Sequence, residues 1–226
     1  PFNILNPIIS NVNFLKSLEH FDVFCIWSKN IKKKIDSRFR VKTIYLPFGY
    51  DSLNKVRYVN YYKKKPQINF IGTCDKNRME IIKSIKIKKI INGGNWDKFK
   101  IGNLTNYEIG KHIYGKKINK LMDESAISLN ILRVQNYTSH NMKSFEIPSN
   151  NGLMLTTRSQ EQDHFFRENR SCYMYSTKKE LNKKIDYILL NPQKAKIVRK
   201  NGFNQVKKHS YINRVKNLVK ELNTLK

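Results

Sequence analysis

The sequence of 226 residues lacks the patterns that assign a protein to a class at once. No apolar run approaches the ~20 residues of a membrane-spanning helix, and no signal peptide is visible. Its three cysteines, Cys25, Cys74 and Cys172, are odd in number and far apart, without a C-x-x-C spacing. They support neither a disulfide framework nor a zinc site, and we expect three reduced, buried thiols in a cytoplasmic protein.

Motifs for nucleotide hydrolysis, dinucleotide binding and metal binding are also missing. The sequence contains neither a P-loop nor a G-x-G-x-x-G pattern, and its five histidines show no metal-ligand spacing. These absences count against nucleotide hydrolases and dinucleotide-dependent enzymes, and we expect neither a metal nor a cofactor. The first residue is Pro1 rather than Met, which predicts a fragment or a processed product.

Acidic residues are scarce. The sequence has 17 Asp and Glu against 44 Lys and Arg, which gives a net charge of +27. Such a charge indicates an anionic partner, for example nucleic acid, anionic lipid or a phosphorylated substrate. The alternative is a genome poor in G and C, because Lys, Asn and Ile are all abundant and such a bias spreads lysines over the surface. Neither interpretation identifies a partner.

Hydrophobic residues make up 39% of the sequence, which is enough for a globular fold. In the first part, a helix is predicted at 11–20, strands at 22–27 and 41–46, and between them a basic helix that Ser28 caps. The polar stretch 51–66, rich in tyrosine and lysine, follows Pro47-Phe48-Gly49. We therefore place a domain boundary near residues 47–66.

Strands and helices alternate from residue 67 to residue 190. Strands are predicted at 67–71, 87–91, 126–132, 153–157 and 172–175, a helix after each of the first four, and a loop at 96–113. A capping box at Thr177 and Glu180, and Pro192 in a first helical turn, begin two more helices. This alternation predicts an α/β fold with a doubly wound parallel sheet.

The central unit, residues 126–157, consists of a strand, a loop, a helix and a strand. Ligands of such units bind beyond the carboxyl ends of the strands, here at residues 133–146. Lys143 and Glu146 lie three apart on one helical face. They form either an exposed ion pair or a site in which lysine meets phosphate and glutamate accepts from sugar hydroxyls. Arg78 is likewise either a phosphate ligand or an exposed helix residue.

Several stretches together resemble a known family. These are YLPFGYD (45–51), FIGT…NR (70–78), SLNI (128–131), SFEIPSNNGLMLTT (144–157) and the ending RENRSCYMYSTKKELNKKIDYILLNPQ. In this order they are similar to the carboxyl-terminal half of a GT-B glycosyltransferase. The likeness is to the family-4-like branch, glycosyl transferases group 1, which includes the spore-maturation-protein group. It covers about residues 20–220.

The resemblance implies roles for particular residues. Glu146 matches the second glutamate of the family's Glu-x7-Glu motif, which holds the donor ribose, whereas the first glutamate falls at Thr138 and is absent. Lys143, in place of the usual Arg, and Arg78 match positions that bind diphosphate. Gly72 would let a strand–helix turn approach the donor, and Asn141 belongs to the matching pattern. The catalytic residues stay unknown.

The resemblance also implies the domains and the activity. Residues 1–46 would end the amino-terminal (acceptor) domain, and 47–226 would form a Rossmann-like nucleotide-sugar-binding domain with a crossover helix at 210–225. We expect a metal-independent glycosyltransferase, hexosyltransferase-like, whose fragment is inactive alone. Its partners would be a nucleotide-diphosphate sugar and an unknown glycan, lipid or protein acceptor, with peripheral membrane contact but no specific nucleic acid. The alternative is a non-enzymatic basic module that binds nucleic acid or an anionic surface.

Overall fold

The computed structural model describes residues 12–53, 65–99 and 106–224. In chain order, its strands are β1 (Val23–Ile26), β2 (Lys42–Tyr45), β3 (Lys65–Ile71), β4 (Lys88–Asn92), β5 (Tyr107–Gly110), β6 (Ser125–Asn130), β7 (Met154–Thr157) and β8 (Tyr173–Tyr175). The α-helices are α1 (Val12–Ser17), α2 (Lys29–Asp36), α3 (Lys76–Lys83), α4 (Lys116–Glu124), α5 (Lys143–Ser149), α6 (Gln160–Phe165), α7 (Lys178–Leu190), α8 (Pro192–Val206) and α9 (Tyr211–Thr224). Short 3-10 helices cover Leu18–His20, Val134–Asn136 and Lys207–His209.

The strands form two sheets in which every pair is parallel. β1 pairs with β2, and the other six strands have the order β5-β4-β3-β6-β7-β8. Counted from β3, this is the 3-2-1-4-5-6 order of the Rossmann fold, with its switch point between β3 and β6. The prediction of a doubly wound α/β fold is confirmed.

Both faces of the large sheet are covered by helices. Ile82 of α3 and Ile185 of α7 pack with Phe70 and Leu129 on one face. Phe145 of α5 packs with strand residues such as Met174 on the other face. A smaller core around Leu18, Ile26, Ile31 and Ile35 holds the first two helices against β1 and β2.

The predicted helix starts agree with the observed caps. Ser28 Oγ accepts from the N–H of Ile31, and Thr177 Oγ1 accepts from the N–H of Glu180. The predicted loop at 96–113 is wrong in part, because Tyr107–Gly110 forms the edge strand β5. Its side chains are half-exposed, so the apolar pattern of a buried strand is missing. Residues 54–64, most of the predicted boundary segment, lie outside the described part of the chain.

Candidate functional site

A cleft of about 540 Å³ opens at the carboxyl ends of β3, β4 and β5. The wall opposite these strand ends is α5, and residues near positions 50 and 211 close one side. The lining residues are Tyr50, Asp51, Ile71, Gly72, Thr73, Asn92, Gly93, His112, Ile113, Tyr114, Gly115, Lys116, Ile118, Asn119, Lys143, Glu146, Ser149, Asn150 and Tyr211. Ligands of open α/β sheets bind at this edge, beside the switch point.

The floor of the cleft is made by two turns that touch each other. Gly72 N–H donates to the carbonyl of Asn92 at 2.8 Å, and Trp96 Nε1–H donates to the carbonyl of Gly72 at 2.9 Å. Gly93 has a φ of +149°, and a Cβ on it would lie 2.2 Å from the Gly72 oxygen. Only glycine fits there, so the backbone forms an open floor without side chains.

The wall opposite is the first turn of α5. Asn141 Oδ1 accepts from the N–H of Ser144 at 3.1 Å, while the Asn141 and Asn130 amides exchange two hydrogen bonds. These contacts fix the helix start to the end of β6. This turn carries Lys143 and Glu146, whose Nζ and Oε2 atoms are 2.5 Å apart with side chains 26% and 30% exposed. Lys143 and Glu146 therefore form an ion pair with each other and also line the cleft.

Arg78 lies behind the turn of Gly72 and Thr73 that lines the cleft. Its side chain is buried, and its guanidinium donates to the carbonyls of Ile131 and Thr73. It also lies over the Phe70 ring, 5.6 Å from the centroid. Burial lowers the pKa of the guanidinium, and nearby Asp75 acts against this shift. The interpretation of Arg78 as an exposed helix residue is wrong, because 8% of it is exposed, whereas its role as a phosphate ligand stays a prediction.

A stacked aromatic pair borders the far end of the cleft, beyond β5. The rings of His112 and Tyr114 are 6.3 Å apart at an interplanar angle of 16°. Asn92 Nδ2 donates to the carbonyl of Lys111 at 3.1 Å, which holds the loop, and His112 packs close to Gly94. Tyr114 is 73% exposed, so it offers a flat π-surface on a fixed backbone.

Two chain segments cross beside the cleft. The N–H of Tyr50 donates to the carbonyl of His209 at 3.3 Å, and the N–H of Tyr211 donates to the carbonyl of Tyr50 at 3.0 Å. Both tyrosines and Asp51 line the cleft. Burial raises the pKa of the Tyr211 phenol, and the negative charge of Glu146 raises it further.

The structure thus brings Gly72, Lys143 and Glu146 into one cleft, whereas Asn141 and Arg78 support its walls from behind. Sequence reasoning missed Tyr114 and the tyrosines of the crossing segments. The run HIYG was readable as an aromatic ahead of a helix start, but Tyr114 was assigned to the first turn of the following helix, which in the structure begins at Lys116. In the described part of the chain, no three His, Cys, Asp or Glu side chains cluster as metal ligands do. Nor does any described helix combine the length and apolarity of a membrane span.

Comparison with models of protein families identifies the family of this chain. The family described as "Glycosyl transferase-like" matches residues 70–220, more than half of the chain. The chain belongs to this glycosyl transferase-like family. The matched range contains the cleft floor, α5 and the stacked aromatic pair. Among curated proteins, none matches the sequence.

Solved structures share the fold of this glycosyl transferase-like chain. HepE of Anabaena, in complex with UDP and glucose, has a TM-score of 0.74 at 11% identity over 99% of this chain and 70% of its own. A mutant of S. aureus TarM with fondaparinux, alpha-GlcNAc-glycerol and UDP has 0.72 at 10%, over 92% and 45%. Sucrose-phosphate synthase of Thermosynechococcus elongatus has 0.71 at 13%, over 99% and 64%. The chain has the GT-B glycosyltransferase fold and spans 45–70% of the lengths of these proteins.

Proposed function

We propose that this chain is the donor-binding half of a glycosyltransferase and that its cleft binds a nucleoside-diphosphate sugar. The observation that carries the proposal is the meeting of Gly72, Lys143 and Glu146 in one cleft at the strand ends. HepE and TarM, which share the fold, have been crystallised with UDP. A uridine diphosphate sugar is therefore the first donor to test.

Each end of the cleft suits one part of such a donor. The diphosphate lies over the glycine floor near Thr73, where backbone groups approach closely, and Lys143 neutralises its charge. Glu146 accepts hydrogen bonds from the ribose hydroxyls. When the donor binds, the ion pair between Lys143 and Glu146 breaks and each side chain contacts the donor instead. Breaking the pair costs little free energy, because both side chains are partly exposed to water.

The nucleobase stacks on Tyr114. Lys143 and the glycine floor lie at the β3 and α5 end, so the base points towards the loop after β5. Tyr114 is the exposed ring there, and the His112 ring lies nearly parallel to it with the centroids 6.3 Å apart. An aromatic ring stacks on any nucleobase, because every base has a π-face. Specificity for one base then depends on hydrogen bonds from polar groups around the Tyr114 ring.

The remaining parts of the proposal concern the whole enzyme. Residues 1–46 end an acceptor domain, 47–226 form the donor domain, and α9 is its crossover helix. The transfer needs no metal, since Lys143 and the helix ends supply the positive charge, and the enzyme belongs to the family-4-like, spore-maturation branch. It transfers a hexose to a glycan, lipid or protein in the cytoplasm, with peripheral membrane contact. The chain alone binds donor without turnover.

Thermal unfolding with nucleoside diphosphates tests the proposal directly. A ligand that binds only the folded state raises the unfolding temperature by mass action, and we expect UDP to do so. Random DNA is the comparison. DNA binding that weakens by about 0.9 logarithmic units per phosphate contact for each tenfold increase in salt, without a response to any nucleotide, would favour the basic module instead.

A further inference from the structure

The carboxylate of Glu161, on α6, is buried at the junction of the two sheets. Only 4% of the residue is exposed, yet four donors reach its oxygens. They are the N–H of Lys29 at 2.7 Å, the Tyr45 hydroxyl at 3.0 Å, the Ser139 hydroxyl at 3.0 Å and His140 Nδ1 at 2.7 Å. Two donors come from the β1–β2 region and two from the loop that precedes α5. Glu161 therefore joins two parts of the chain that meet at the cleft.

His140 extends this connection. Its side chain is fully buried, and its Nε2 accepts from the N–H of Phe48 at 3.1 Å. Because Nε2 accepts, the ring is neutral and its proton lies on Nδ1, directed at Glu161. Burial lowers the pKa of the imidazole and outweighs the opposing influence of Glu161. Burial also acts to raise the pKa of Glu161, but the hydrogen bond from His140, with the others, lowers it.

The pair holds one end of each of two cleft walls. Phe48 lies two residues before Tyr50, on the segment that delivers Tyr50 and Asp51 to the cleft. On the other side, His140 is followed by the residue that caps α5, the helix of Lys143 and Glu146. A shift of the buried pair moves both walls relative to each other.

We propose that Glu161 and His140 are positioning residues for donor binding, which lock the crossing segment 46–51 to the start of α5. The inference rests on the proposed function for its ligand readout, but the lock itself is a property of the folded chain. Neither residue lines the cleft, so neither touches the donor.

Protonation of His140 breaks the lock. A second proton on Nε2 would face the Phe48 N–H, and two donors cannot pair. The charged and titratable groups around the ring are Glu161 on α6, Arg214 on α9, Tyr45 on β2 and His209. Arg214 opposes a charge on His140, and its guanidinium lies over the rings of Phe145 and Phe165. The lock is therefore closed at neutral pH and opens in acid.

The test compares Glu161→Gln with the full chain and with Glu168→Gln. The Glu168 side chain is 20% exposed, and it pairs with Arg158 and Lys184 away from the cleft. Backbone hydrogen exchange is followed by mass spectrometry at pH 8 and pH 5, and UDP affinity is measured by calorimetry at both pH values. In Glu161→Gln we expect faster exchange confined to 46–51 and 141–149. We also expect the UDP affinity of this variant to fall about tenfold at pH 8. Such a loss corresponds to a cleft whose two walls are correctly placed about one-tenth of the time, because apparent affinity is proportional to that fraction.

Between pH 8 and pH 5, UDP affinity should decrease more in the full chain than in Glu161→Gln, because titration of the UDP phosphate is common to both. Unchanged exchange at both segments would overturn the inference, whatever UDP does. Should Glu161→Gln unfold globally, Tyr45→Phe removes one donor only. Faster exchange at the same two segments then supports the lock, and uniform exchange overturns it. If the full chain binds no nucleotide, the proposed function fails while the exchange result still decides on the lock.

Discussion

Replacing Glu146 tests the proposed ribose contact most directly. A hydrogen bond to a charged group contributes about 1.5–3 kcal/mol, against about 0.5–1.5 kcal/mol for a neutral pair. Glutamine keeps one acceptor but loses the charge, so the expected loss in Glu146→Gln is close to 1.4 kcal/mol, or about tenfold in affinity. Glu146→Ala removes both acceptors and approaches a loss of about a hundredfold.

The effect on folding stability should be small by comparison. The ion pair with Lys143 has side chains 26% and 30% exposed, and such partly solvated pairs contribute about 0–1 kcal/mol. The unfolding temperature of Glu146→Gln should therefore stay near that of the parent chain. A loss of UDP affinity without a loss of stability then reports on the contact itself.

Calorimetry with two ligands separates the roles of the two side chains. Glu146→Gln should weaken UDP but not pyrophosphate, which has no ribose, whereas Lys143→Ala should weaken both by about tenfold to a hundredfold. Glu80→Gln is the matched control, because Glu80 pairs with Lys178 outside the cleft. Equal UDP affinity of Glu146→Gln and Glu80→Gln would refute the ribose assignment, and so would an equal loss for UDP and pyrophosphate in Glu146→Gln.

Other variants test the rest of the site. Tyr114→Ala should lower UDP affinity by about 1–3 kcal/mol and spare pyrophosphate, whereas Tyr107→Ala, on the same sheet edge but outside the cleft, should change neither in calorimetry. Gly93→Ala places a Cβ 2.2 Å from a carbonyl oxygen and should lower the free energy of unfolding in urea by about 3 kcal/mol or more. Arg78→Lys should destabilise the chain by about 1–3 kcal/mol, because two buried carbonyls lose donors; unchanged stability with weakened pyrophosphate binding would instead support Arg78 as a phosphate ligand. The pKa of His140 in the folded state lies below its ordinary value of 6.5, so the unfolded chain binds the proton more readily. The free energy of unfolding should therefore be highest above pH 6.5 and decrease as the pH falls below it. Thermal unfolding should show a smaller decrease in His140→Gln.

Local signals in the sequence predicted most of the fold. The hydroxyls of Ser28 and Thr177 cap the helices they were expected to cap, because capping depends only on residues three positions away. The strands of the large sheet other than β5 were placed within two residues at either end, because each contains a short group of apolar residues. β5 was missed, since Tyr107 and Ile109 are more than one-third exposed and its neighbours are polar.

The site was harder to predict, since it depends on contacts between distant parts of the chain. Lys143 and Glu146 share a helix face, so their common position followed from spacing alone. The orientation of Arg78 depends on the carbonyl of Ile131, which is 53 residues away. Glu161 lies in the first turn of α6, and its four donors come from three separate segments. No local pattern reports such a network.

The strand order of the large sheet has a consequence for how the chain folds. Its central pair joins Gln67 on β3 to Ser125 on β6, 58 residues later. Closing so long a loop costs entropy before any contact compensates it, and parallel pairing of distant strands is correspondingly slow. During synthesis, one edge of β3 stays unpaired until β6 has left the ribosome. We therefore expect slow refolding and an early state that aggregates through this open edge.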